Sequence, residues 1–283
     1  SGRLSSSGKM NMQQIPRDNP IVKGCIKAKE GNKIVAMDLT TAEVYVAAML
    51  SDDINLQKVF KEGGNFHSSI AKLVFNLSCE VEDVAELYKT ERQMAKAVTF
   101  GIMYGAGPRK ISQQVTQDSG RYFSIQEAQE VIDDYFRQFH RLKSWISRCE
   151  TIIMNHGFIY SHFGRKRRLP NVRSENKGVA SHEVRSGLNF LVQSIASDIN
   201  LLGAIDTHNE LKSRLWIPAK IFALVHDSIL AEVSEAAVDS YCTLVRECVQ
   251  RDRGLSIPGS PIGCDFEVGD DYSFGKFEDK YDL

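Results

Sequence analysis

β-patterned segments near both ends of the chain and a long helical stretch between them predict an α+β fold, an antiparallel sheet interrupted by a mainly helical insertion. Three observations carry the prediction. Lys33–Leu39 alternates and ends in an apolar run, as a strand does. Lys220–Val225 and Ile229–Val233 flank a tight His226-Asp227 turn and read as a hairpin. Residues 51–160 place apolar side chains three and four apart, the period of a helix.

In chain order, Ala42–Leu50 follows the first strand as a helix. The helical stretch after it is broken at Gly63-Gly64, at Gly105–Pro108 and at Gly157, where glycine and proline interrupt regular structure. Ile125 to about Met154 reads as one long helix. A basic turn at 164–170 leads to a second long helix, from about Val179 to Leu211, with apolar Leu188, Leu191, Val192, Ile195, Ile199 and Leu202. The hairpin, a helix over about 235–251 and a short strand near 264–268 complete the chain.

At 283 residues the chain suffices for one large or two modest domains of roughly 100–200 residues each. Its 42% apolar and 25% charged residues are those of a globular protein. Six cysteines without a C-x-x-C pair argue against a disulfide framework or a zinc site, and for a reducing compartment. No unbroken apolar run approaches 18 residues, so no membrane span or membrane partner is expected, and no secretory signal is evident. Together these place the protein inside a cell, not secreted. The first residue is Ser1 rather than Met, which reads as processing or as a piece of something longer.

Thirty-five basic against 36 acidic residues give a net charge of −1, which taken alone opposes a strongly basic nucleic-acid binder. The charge is unevenly spread, however. Residues 1–33 carry Arg3, Lys9, Arg17, Lys23, Lys27, Lys29 and Lys33 against Asp18 and Glu30. Lys89, Arg92, Lys96, Arg109 and Lys110 form a second cluster and Arg165-Lys166-Arg167-Arg168 a third, while the last nineteen residues are acidic. Such asymmetry builds a positive groove on a neutral protein, or simply a solvated surface.

Three constellations bear on chemistry. Asp38 ends a strand and Asp227 tips the hairpin; paired carboxylates can share two Mg²⁺ ions, although a lone Asp at a turn is commonly a turn residue. Arg92, Lys96, Phe100 and Tyr104 recur every four residues, each step advancing about 40° around a helix, so they form one stripe. Its cations suit a polyphosphate and its aromatics a stacked base, and the same stripe would also arise on a partly buried amphipathic helix with snorkelling cations. Arg185, Asn189 and Gln193 form a row of hydrogen-bond donors on the second long helix, opposite its apolar side. That row suits the minor-groove acceptors common to every base pair, or a solvated polar face.

These residues resemble family A DNA polymerases, the DNA polymerase I-like group. Asp38-Leu39-Thr40-Thr41-Ala42-Glu43 is similar to the family's first metal motif, and Val225-His226-Asp227 to its second. Arg92-x3-Lys96-x3-Phe100-Gly101-x2-Tyr104-Gly105 matches its fingers-helix signature. Arg185-x3-Asn189-x3-Gln193 fits the palm helix, and Gly2-Arg3-Leu4-Ser5-Ser6 with Asn11, Gln13, Ile15 and Pro16 fits the start of the palm. The motifs occur in the family's order and span nearly the whole chain.

The resemblance implies a palm with an antiparallel sheet interrupted by a mainly helical fingers insertion, a right-hand polymerase fold lacking its thumb. Residues 1–50 would be the first part of the palm, 51–178 the fingers and 179–283 the second part of the palm. It implies two Mg²⁺ ions, with Mn²⁺ as an alternative, on Asp38, Asp227 and the Leu39 carbonyl. Arg92, Lys96 and His67 would contact a dNTP triphosphate, Lys96 also supplying a proton to the leaving pyrophosphate. Phe100 would stack on the incoming base, and Tyr104 and Glu43 would close the space beside the sugar 2′ position. Arg3, Asn11, Gln13, Arg185, Asn189, Gln193 and His226 would contact primer–template DNA. The reaction implied is template-directed transfer of a deoxynucleotide from dNTP to a primer 3′-hydroxyl, helped by an N-terminal polypeptide carrying a thumb and any exonuclease. Its setting would be the cytoplasm of a bacterial or phage-infected cell, or an organelle matrix.

Two positions depart from the family's pattern. Ser228 stands where the family usually has Glu, which implies reduced or retuned activity, and Tyr45 stands where it has Arg. A non-catalytic nucleic-acid-binding subunit of polymerase shape is the alternative that Ser228 leaves open. A single-subunit RNA polymerase is another, opposed by Glu43 together with Tyr104.

Overall fold

The computed structural model describes residues 2–7, 12–15 and 19–275. Lys9, Asn11, Pro16, Arg17 and the acidic tail from residue 276 onward lie outside the described residues. The chain divides into two compact units. One comprises Ser1–Ala42, Ala196–Gly254 and Pro261–Leu283; the other comprises Glu43–Ile195 and Leu255–Ser260.

The elements follow in chain order. A 3-10 turn at Met12–Gln14 precedes α1 (Pro20–Gly24), whose amides at Ile21 and Val22 donate to the Asn19 side chain. Then come β1 (Asn32–Thr40), α2 (Ala42–Ser51), α3 (Ile54–Glu62), α4 (Phe66–Phe75) and α5 (Val84–Leu87). They are followed by α6 (Lys89–Met103), α7 (Pro108–Ser119), α8 (Ile125–Gln138) and α9 (His140–His156). A short hairpin of β2 (Phe158–Tyr160) and β3 (Lys166–Arg168) leads to α10 (Lys177–Ser213). β4 (Ala219–Val225), β5 (Ser228–Ser234), α11 (Val238–Val249) and β6 (Gly263–Gly269) complete the described chain.

The first unit is built on a four-stranded sheet in the order β4-β5-β1-β6, with every pairing antiparallel. Ile34–Met37 of β1 is buried on both faces, which is why it reads as a continuous apolar run. Side chains alternate along a strand, so the register fixes what meets what. Val35 and Met37 share one face with Ala231 and Ile229 of β5, and α11 packs against these two strands. Ala36 and Leu230 lie on the other face and cluster with Tyr272.

The second unit is mainly helical. α6 packs against α4 and α7, and α7 against α8. A separate cluster joins Cys149 and Ile153 of α9, Ile159 of β2 and Leu188 and Leu191 of α10. The segment expected as one helix over 125–154 is two. Phe139 breaks it, with φ −115° and ψ 59°, its ring buried 4.8 Å from that of Tyr135. The break serves a second purpose, because it frees the first amides of α9. Asp53, only 1% exposed, accepts from Arg141 and Leu142 at 3.0 Å with one oxygen, and caps α3 through Leu56 with the other. A single carboxylate thus closes two helix N-termini. The basic turn expected at 164–170 contains β3, which pairs back onto β2 and sets the Lys166 ammonium 3.9 Å from the Phe158 ring centre.

α10 runs through both units. It holds an 18-residue stretch of mean hydropathy 1.3, long and apolar enough to cross a membrane. Asn189, Gln193, Ser194, Ser197, Asp198 and Asn200 interrupt the apolar residues of this stretch, so it is not an unbroken apolar run in the sequence. Within the protein 72% of that stretch is buried, as in a core helix.

Replacing Asp53 by Ala leaves three helix-terminal amides without their acceptor and should lower stability by about 3 kcal/mol, with Asp53→Asn intermediate. Urea unfolding followed by circular dichroism measures it. A change below about 1 kcal/mol would mean that the shared cap is dispensable.

Candidate active site

In the sheet unit, two turns bring carboxylates to one cavity of about 1020 Å³. β1 delivers Asp38 near its end, just before Thr41 turns the chain at φ 49°. The β4–β5 hairpin delivers Asp227 from a two-residue loop whose first member, His226, has φ 53°. A positive φ is costly for a residue with a Cβ, and such strain gathers at functional loops. The loop is tied to β1 because the Leu39 amide donates to the Asp227 carbonyl at 3.3 Å. Gln13, Leu39 and His226 line the same cavity.

The carboxylates have different surroundings. Asp227 Oδ1 is buried and has no hydrogen-bond partner among the described residues, while Oδ2 lies 4.0 Å from the Arg3 guanidinium. Asp38 Oδ1 accepts a hydrogen bond from the Ser228 hydroxyl. Asp265 and Glu267 of β6 also line the cavity, and the sequence reading did not single them out. The signal was present in their alternation, which the register turns onto the face of Asp38.

The helical unit positions the stripe of α6. Arg92, Lys96 and Phe100 lie within the helix, and Tyr104 caps its C-terminus, its amide still donating to the Phe100 carbonyl at 3.0 Å. Gly101 permits the close approach of α7, since a Cβ there would come within 2.8 Å of Ile111. Lys96, Phe100 and Tyr104 open on a cavity of about 350 Å³, with Lys110 and Gln114 of α7 on its wall. Arg92 is held separately, donating to Ser68 Oγ at 3.2 Å and to Asn65 Oδ1 at 3.3 Å. Asn65 also caps α4, so the residue that starts that helix also aims the arginine. Neither Asn65 nor Ser68 stood out in the sequence, because each reads as an ordinary capping or core residue.

His67, in the first turn of α4, has its ring 5.4 Å from that of Phe100. Burial, then Lys96 and Arg92, push its pKa down to about 4. It stands at the end of a run of ring contacts from Tyr45 through Phe60 and Phe66. Tyr45 is 2% exposed; its hydroxyl donates to the Ser260 carbonyl at 2.7 Å and accepts from the Ile257 amide at 2.9 Å. The departure at 45 therefore anchors a loop. Glu43, in the first turn of α2, is buried.

Arg185, Asn189 and Gln193 are half-buried on α10, between the buried Leu188, Phe190, Leu191 and Val192. Asn189 and Gln193 are not on an open polar face, since all the other residues from Gly187 to Asn200 are buried. Asn189 Oδ1 is buried without a partner among the described residues. Arg185 lies over Gly105, which has φ 64° and where a Cβ would come within 2.6 Å of the arginine chain. Asn11, expected to contact DNA, lies outside the described residues. The six cysteines are free, and burial pushes Cys149 and Cys264 up to about 11, which leaves them poor nucleophiles at neutral pH.

A family model described as DNA polymerase family A matches residues 1–273. The chain is 50% identical over 303 residues to a DNA polymerase of Escherichia phage T5, covering 99% of this chain and 35% of that protein. It is 32% identical over 260 residues to a thermostable DNA polymerase I of Thermus filiformis, covering 91% of this chain and 29% of the relative. Among solved structures it is similar to the polymerase domain of Pol1 from M. smegmatis, in complex with DNA primer–template and dNTP. That likeness has a TM-score of 0.84 at 26% identity, over 96% of this chain and 46% of the other. The chain thus spans about a third of the length of these curated relatives.

The depressed pKa of His67 has a consequence for stability. Above its ordinary value of 6.5 the imidazole is neutral whether the chain is folded or not, and folding carries no penalty from it. As pH falls from 6.5 towards about 4, the unfolded chain takes up a proton that the folded one refuses, so stability drops through that window. His67→Gln should flatten this part of the stability–pH curve, read from urea midpoints at successive pH values. A slope that survives in the variant would belong to other groups.

Proposed function

The chain belongs to DNA polymerase family A, and on that premise we propose that it is the catalytic core of a DNA-directed DNA polymerase. The reaction is in-line attack of a primer 3′-hydroxyl on the α-phosphate of a dNTP, directed by a template strand. The observation that carries this reading is the cavity on which β1 and the β4–β5 loop converge Asp38 and Asp227.

That cavity fits divalent cations of the hard, oxygen-seeking kind. It presents the carboxylates of Asp38 and Asp227, with Asp265 and Glu267 beside them, and one oxygen of Asp227 is a buried acceptor lacking a donor among the described residues. Among the described residues no three acidic, His or Cys side chains form a ready-made metal cluster. Mg²⁺ rarely needs one, since it takes one or two carboxylates and completes its octahedron with water and substrate phosphates. Asp38, Asp227 and the Leu39 carbonyl would hold two Mg²⁺ ions, or Mn²⁺ in their place. When bound, the pair supplies Lewis-acid stabilisation to the attacking and leaving oxygens.

The other roles follow from the side chains. Arg92, its guanidinium steadied by Ser68 and Asn65, and the exposed Lys96 bring positive charge to the triphosphate. His67 approaches it as a neutral imidazole, and Lys96 protonates the departing pyrophosphate. Phe100 stacks on the incoming base, its ring braced by His67. Glu43, 7% exposed, and Tyr104, 40% exposed, close the space beside the sugar. Arg3, Gln13, Arg185, Asn189, Gln193 and His226 serve the primer terminus and the minor groove, reading acceptors shared by all base pairs.

In this reading residues 1–50 and 179–283 are the palm and 51–178 the fingers, so the four-stranded sheet belongs to the palm, while 43–50 and 179–195 are palm residues that the division into compact units groups with the helical unit. The full activity includes an N-terminal portion that grips duplex DNA, on the same or a separate polypeptide; the support is that the relatives are about three times longer. Their phage and bacterial origin favours the cytoplasm of a bacterial or phage-infected cell.

In the full-length protein, Asp38→Ala or Asp227→Ala should abolish Mg²⁺-dependent primer extension while leaving primer–template binding largely intact in a filter assay. Normal extension by either variant would refute the assignment. Glu43→Ala should relax the preference for dNTP over rNTP, by about ten- to a hundredfold in the ratio of kcat/KM values. An unchanged ratio in single-nucleotide incorporation would remove Glu43 from sugar discrimination.

A further inference from the structure

Ser228 stands where the resemblance implies a Glu, and its surroundings give it a definite part. Asp38 sits on the central strand of the register β5-β1-β6, directly opposite Ser228 on one side and Asp265 on the other. All three side chains line the same cavity. Among the described residues, the hydrogen bond to the Asp38 carboxylate comes from the Ser228 hydroxyl, to Oδ1. The neighbour on the other side is a second acid, so of the two residues paired with Asp38 across the strands the serine is the one that attracts it.

We propose that Ser228 is a positioning residue, its hydroxyl holding Oδ1 of Asp38 so that the second oxygen is kept for a divalent cation. This rests on the reading of Asp38 and Asp227 as metal-binding residues. Groups that hydrogen-bond metal-binding carboxylates set their orientation and so contribute to affinity without touching the ion. A glutamate at 228 would add a further negative charge beside Asp38. Serine adds a neutral donor, and the site fixes its carboxylate by a hydrogen bond from the adjacent strand. The two sides of this pair are already rigid: β1 and β5 are in continuous register up to Asp38 and Ser228, and the Leu39 amide is bonded to the Asp227 carbonyl at 3.3 Å. The hydroxyl therefore needs no backbone movement to stay in place.

The test uses the full-length protein with primer–template and dNTP, and reads Mn²⁺ binding by the loss of free-ion signal in electron paramagnetic resonance. Ser228→Ala should weaken Mn²⁺ binding about tenfold and raise the Mg²⁺ concentration for half-maximal extension in the same proportion. Ser228→Thr, which keeps the hydroxyl, should return both quantities to near the parent value. Unchanged Mn²⁺ affinity in Ser228→Ala overturns the inference, whatever happens to the extension rate at saturating metal. So does a folded Ser228→Thr that fails to restore binding. Should Ser228→Ala not fold, Ser228→Cys, with a similar volume and a weak donor, carries the same expectation. Asp227→Asn separates the two levels of the reading. If it too leaves Mn²⁺ binding unchanged, the metal site itself is refuted; if it abolishes binding while Ser228→Ala does not, only the role of the serine is lost.

Discussion

The antiparallel register that sets Asp38 between Ser228 and Asp265 governs the chemistry of the sheet unit, because side chains on a strand alternate between faces. A slip of one residue would send Asp38 into the apolar layer of Met37 and Val35 and bring Met37 to the cavity. The cost of burying an unpaired carboxylate on one face and exposing apolar side chains on the other makes that slip prohibitive. Apolar burial on the face toward α11 thus fixes, at no extra expense of geometry, the acidic arrangement on the opposite face. The tight hairpin finishes the work by ending β4 and β5 where Asp227 is needed.

A comparable economy runs through the helical unit. Asn65 starts α4 and aims Arg92; Asp53 starts α3 and α9 together. Each places the first amides of a helix and a distant segment on one side chain, so that local folding and tertiary placement are the same event. The stripe on α6 gains its precision in this way. The helix alone would carry four side chains on one face, but Gly101 brings α7 close enough to wall the cavity, and the ring contacts from Tyr45 to His67 brace Phe100.

Much of this was legible in the sequence where a single period or a single turn decides the outcome. The strand at 33–39, the hairpin about His226-Asp227 and the helix at 42–50 emerge close to their expected bounds, since burial on both faces or a two-residue loop leaves few options. Reading failed where a distant partner decides. Nothing between 125 and 154 marks a helix end, because the break at Phe139 is stabilised by a carboxylate 86 residues earlier, at Asp53. Strand β3 hid inside a basic turn, since a three-residue strand of exposed cations lacks an apolar alternation. At the site the motif residues were visible by type and spacing. Asn65, Ser68, Asp265 and Glu267 were not, because their parts come from register and capping geometry.

The two departures from the family's pattern now have a shared physical logic. Beside the pattern that the resemblance implies, Ser228 stands in place of a Glu and Tyr45 in place of an Arg, one acid and one base. Each replacement is a hydroxyl, and each hydroxyl is hydrogen-bonded: Ser228 to Asp38, Tyr45 to the backbone of Ser260 and Ile257. A charge acts at long range and is weakened by salt, whereas these hydroxyls act through short directional bonds at one atom. Tyr45 could not carry its bonds if it were exposed, and it is buried with its ring edge-on to Phe60. Ser228 could not if its strand were free to slide, and the register holds it opposite Asp38. Both bonds therefore depend on packing and register set by distant residues, which is why neither could be read from the sequence alone.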